Sequence, residues 1–76
     1  MFDIGQRLVW NKSGITDVLG GAHHRLAHTT WVVVGHPDDN YINVVDVLDN
    51  TVRLNYMEPR FFSLVKRTVT PRNLPG

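Results

Sequence analysis

His23, His24 and His28 fall within six residues, and imidazole nitrogen is a common metal ligand. If residues 22–27 make a helical turn, His24 and His28 stand one turn apart on the same face, a spacing that zinc ligands use, and Asp17 or His36 is available to complete a set. The zinc-protease pattern is not met, because it requires Glu directly after the first His of the pair and Arg25 stands there. With no thiolate beside them, these three histidines are weak metal candidates and read first as exposed loop residues. Ser13 and Ser63 lack the strand-to-helix elbow that exposes a nucleophile, and Gly20-Gly21 lacks the lysine and helix of a phosphate loop. No nucleophile, base and orienting acid come together, so no catalytic residue, no cofactor and no enzymatic activity are expected.

The remaining chemistry belongs to surfaces. Trp10, Trp31, Tyr41 and Tyr56 have the types that stack on unpaired bases or anchor protein interfaces. A small domain also needs large side chains to fill it. Trp31 and Tyr56 are assigned to the core on that ground, whereas Trp10 and Tyr41, at strand ends beside loops, are assigned to surface contact. Arg53, Arg60, Lys66 and Arg67, with Arg72 beyond them, form either a phosphate-binding strip or a solvated rim that discourages edge pairing. Asp38 and Asp39 sit together in a polar turn. Eight Lys and Arg against seven Asp and Glu give a net charge of only +1, so the whole chain lacks the basic excess typical of phosphate neutralisation.

These side chains need elements to hold them, and the pattern from 29 to 67 is β-like. Residues 5–10 alternate as a first strand with Leu8 inside; further strands are predicted over 30–35, 41–48, 51–56 and 61–65. Residues 11–28 read as a long loop holding the apolar residues Ile15, Val18 and Leu19, which either plug the end of the core or meet a partner. A loop over 36–40 and a tight turn at Asp49-Asn50 separate the middle strands. A bulge near Val44-Val45 reconciles the phase of that strand, because apolar residues fall on both of its faces. Along 51–56 the alternation puts Val52, Leu54 and Tyr56 inside and Arg53 and Asn55 in solvent. Pro59 breaks the ladder into a 3₁₀ turn. The expected organisation is one domain over 1–67 and an extended or disordered tail over 68–76, rich in proline.

At 76 residues the chain is near the lower limit for a core without a staple, and it contains no cysteine. That absence removes disulfides and fits a reducing compartment. Residues 1–6 lack the features of a signal peptide, and no apolar run is long enough to cross a bilayer. A cytoplasmic location and no membrane partner are expected.

The order strand, long loop, strand, short loop, strand, tight turn, strand, 3₁₀ turn, strand resembles the five-stranded SH3-like barrel, all-β in class. Ile4-Gly5-Gln6-Arg7-Leu8-Val9 at the start and Arg60-Phe61-Phe62-Ser63-Leu64-Val65 at the end resemble the small SH3-like proteins of bacteriophages. The chain departs from peptide-binding SH3 domains in lacking their aromatic first strand and the acidic run of their long loop. The resemblance implies a non-enzymatic binding module or inhibitor that occludes a bacterial host protein in the host cytoplasm. Its contact face would comprise Trp10, Ile15, Val18, Leu19, Asp38, Asp39 and Tyr41. The alternative is a nucleic-acid binder using Arg53, Arg60, Lys66 and Arg67 with Tyr41 or Trp10 for stacking. A third possibility is self-association through open sheet edges.

Overall fold

The computed structural model describes residues 1–65. Lys66, Arg67, Arg72 and the tail expected over 68–76 lie outside them. The described chain is all-β, with β1 (Arg7–Trp10), β2 (Thr30–Asp38), β3 (Tyr41–Asp46), β4 (Asp49–Met57) and β5 (Phe62–Leu64). They form one antiparallel sheet in the order β4-β3-β2-β1-β5. β4 and β5 are the two edges and do not pair with each other, so among the described residues the sheet is open where a closed barrel was expected.

One face of this sheet makes the core. Leu8, Trp10, Trp31, Val33, Ile42, Val44 and Phe62 are buried in a single cluster, as the period-2 pattern of their strands requires. Trp10 stacks on Phe62 with ring centroids 4.6 Å apart and meets Trp31 edge-on at 5.9 Å, geometries that suit the ring quadrupole. Trp10 is therefore core and not the surface aromatic that its place at a strand end suggested. Val52, Leu54 and Met57 of β4 pack against the same cluster.

The long connection from β1 to β2 closes the open end of the core. Its first part is a wide turn, Gly14–Val18, in which the Leu19 amide donates to the Gly14 carbonyl. Asn11 organises the turn, since its Oδ1 accepts the Gly14 amide at 2.8 Å and its Nδ2 donates to the Arg60 carbonyl. Ile15 and Leu19 pack on the core, so these two plug it, while Val18 stays exposed. Residues 22–27 form consecutive turns instead of a helical one. Trp10 Nε1 donates to the Leu26 carbonyl at 3.0 Å and ties that segment down.

Both hairpins turn earlier or later than expected, and for one shared reason. β2 runs on to Asp38, so the loop is only Asp39-Asn40; the second turn is Val47-Leu48, not Asp49-Asn50. In each, an aspartate at the first turn position accepts the amide two residues on: Asp38 Oδ1 from Asn40 at 2.8 Å, Asp46 Oδ1 from Leu48 at 2.9 Å. Asp49 repeats the arrangement just inside β4, where the Thr51 hydroxyl and then its amide hold the carboxylate below its ordinary pKa. The expected irregularity of β3 is present, with Val44 and Val45 both buried and the register shifting beside them.

Candidate interaction surface

Tyr56 shows how the surface is built. Ile42 pairs with Met57 and Val44 with Leu54, so Asn43 faces two residues of β4, a bulge at Asn55-Tyr56. Tyr56 takes a left-handed backbone, φ +57°, alone among the described non-glycine residues. Asn43 Oδ1 holds the Tyr56 amide at 3.0 Å in that conformation. The bulge swaps the phase of the strand: Met57 turns to the core, and Tyr56, expected inside, is 60 % exposed.

The exposed ring lies against Tyr41, with centroids 5.8 Å apart and planes inclined by 58°. Tyr41 in turn lines a shallow groove of about 320 Å³ with Asn40, Glu58, Pro59 and Arg60. The groove's other wall is the 3₁₀ turn Pro59–Phe61, started by the proline at its first position as expected. Glu58 and Arg60 pair at 2.9 Å, and the Arg60 guanidinium sits 4.3 Å from the centre of the Phe61 ring. The bond to Glu58 raises the Arg60 pKa further above its already high value. Asp38 and Asp39 are exposed at the adjoining hairpin tip.

Of the expected contact residues, Asp38, Asp39 and Tyr41 come to this end of the sheet; Trp10, Ile15 and Leu19 serve the core; Val18 is exposed on the wide turn that packs against the 3₁₀ turn. Tyr56 and Pro59, which belong to this surface, were not among the expected contact residues. Proline in a 3₁₀ turn next to a tyrosine-bearing strand was a usable signal, but the bulge that turns Tyr56 outward had none.

Of the basic residues read as either a phosphate-binding strip or a solvated rim, Arg53 and Arg60 are described, and Lys66, Arg67 and Arg72 lie outside the described residues. Arg53 projects from β4, where its Nε donates to Asn55 Oδ1 at 2.7 Å, and Arg60 is engaged by Glu58. As read from the alternation, Arg53 and Asn55 are exposed. His23, His24 and His28 are exposed in the turns before β2, where His24 Nδ1 accepts the Leu26 amide at 3.0 Å. Because no helix forms there, the one-turn spacing that motivated a metal site is lost. Among the described residues no three His, Cys, Asp or Glu side chains are grouped to hold a metal. Among the described residues no helix is long and apolar enough to cross a membrane. No family model, curated protein or solved structure matches the chain.

Proposed function

We propose that this chain is a small SH3-like module that acts without catalysis, binding a partner protein through the Tyr41–Tyr56 ledge and the Pro59-Arg60 groove and occluding the surface it covers. The strand order and the 3₁₀ turn between β4 and β5 support the SH3-like reading. The direction toward a bacterial host protein rests on the likeness of the first and last strands to phage proteins.

The observation that carries the binding reading is the conformation of Tyr56. A left-handed backbone costs a residue with a side chain roughly 1–2 kcal/mol, and at this position the result is an aromatic ring held in solvent beside a second one. Strain of this kind concentrates at functional sites, and tyrosine is enriched among the residues that dominate protein interfaces. A protein is favoured over a nucleic acid here because Glu58 lines the groove and already neutralises Arg60, and the exposed Asp38 and Asp39 directly precede the groove residue Asn40.

Quantitative capture from bacterial lysate tests this. The wild type should retain a prey in stoichiometric amount, and that prey should stay bound as salt rises, in contrast to a phosphate-driven contact. Tyr56→Gly should lose the prey at least about tenfold while unfolding within about 1 kcal/mol of wild type, since glycine relieves the backbone strain. Equal retention by this variant, or replacement of the prey by nucleic acid, removes the proposal.

A further inference from the structure

The opposite end of β3 carries a surface of different chemistry. Cross-strand pairing places Arg7 beside Val32, Val32 beside Val45 and Val45 beside Arg53. Paired residues share a face, so these four side chains form one row across the outer side of four strands. At about 4.8 Å per strand, the two arginines stand roughly 14 Å apart, with valine between them. Val45 is only 8 % exposed although it is not part of the core cluster.

Arg7 also lines a cleft of about 470 Å³ with Arg25, His28, the Thr29-Thr30 pair and Leu48. Leu48, at the tip of its hairpin, is 92 % exposed. Among the described residues Arg7 and Arg25 have no carboxylate within ion-pair distance. Among the described residues on the cleft Asp46 is the single acid, and one of its oxygens already accepts the Leu48 amide.

We propose that this row and cleft form a second docking surface, distinct from the tyrosine ledge, whose occupant is a segment of a partner protein bearing carboxylates on either side of an aliphatic side chain. Charge complementarity selects the acids: guanidinium groups bind carboxylates through paired, charge-assisted hydrogen bonds. Half-buried Val32 and exposed Leu48 select the aliphatic centre. An extended segment with acids four residues apart spans about 13 Å on one face, which matches the row. Nucleic acid is the poorer occupant, because among the described residues no Phe, Tyr or Trp ring lines the cleft as a stacking platform and Asp46 opposes a continuous phosphate chain.

The test uses the full chain and three fluorescent probes: a peptide repeating Glu-Ser-Leu-Ser, which sets Glu and Leu in turn along one face of an extended segment, the same peptide with Lys for Glu, and a thymidine oligonucleotide. The Glu peptide should bind at least about tenfold more tightly than the other two. Arg7→Gln and Arg53→Gln should each weaken it several-fold, and Tyr56→Gly should leave it unchanged, so that this surface and the ledge stand or fall separately. Amide resonances of Val32, Val45 and Leu48 should move on titration while those of Tyr41 and Tyr56 stay. Preference for the Lys peptide or the oligonucleotide, or shifts confined to the tyrosine end, would overturn the assignment.

Discussion

Two tryptophans with nearly equal burial carry unequal polar partners. Trp10 Nε1 is bonded to the Leu26 carbonyl, whereas Trp31, fully buried, has an indole nitrogen with no acceptor among the described residues. An unsatisfied buried donor costs about 1–3 kcal/mol, which Trp31→Phe removes while giving up some packing. That variant should lie within about 1 kcal/mol of wild type in urea unfolding. Trp10→Phe loses the bond and leaves the Leu26 carbonyl without that donor, so it should cost about 2 kcal/mol or more. It should also speed amide exchange over residues 24–28. Equal penalties would mean that the bond to Leu26 contributes nothing. Burial of Leu8 and Trp31 was legible from alternation; that of Trp10 was legible from the same strand, since Leu8 and Trp10 share a face, but its terminal position pointed the other way. A strand end is a surface only when no loop folds over it, and here residues 24–27 do.

Between the wide turn and the 3₁₀ turn there is no space for a methyl group. A Cβ at Gly14 would collide with the Phe61 carbonyl oxygen and come within 2.7 Å of the Trp10 ring. Gly20, by contrast, has open space around it and is needed only for its φ of +82°. Gly14→Ala should therefore destabilise by about 2–3 kcal/mol and Gly20→Ala by about 1 kcal/mol, an order that thermal or urea unfolding reads directly. Equal effects, or the reverse order, would show that the two turns are not packed as described. The connection's apolar plug was visible in Ile15 and Leu19, yet Gly14 looked like ordinary turn punctuation. Turn positions were the least legible feature for a related reason. Val47-Leu48 has strand-forming side chains, and Asp46 and Asp49 are equally able to open a turn. The choice is decided by the carboxylate of Asp46 reaching the Leu48 amide and by three extra β4 residues, Asn50 to Val52, before pairing resumes at Arg53. No residue type announces such a bulge.

At the scale of the molecule the sheet, open among the described residues, presents two edges there, which invites self-association. Each is blunted. β5 has only three residues, and β4 is broken by the Tyr56 bulge and by the irregular stretch after Asp49. Bulged and short edges are poor templates for a second chain. The proposed contact surfaces make the same demand, because pairing along β4 would place a neighbour beside both Arg53 and Tyr56. The class and the number of strands were legible in the order of apolar runs and turn residues, whereas the failure of β4 and β5 to pair depends on strand coiling that period-2 alternation does not encode. Light scattering at tens of micromolar protein should accordingly give the mass of one chain. A dimer that Arg53→Glu dissociates would assign the β4 side to a second copy and exclude it from partner binding, since one edge cannot serve both at once.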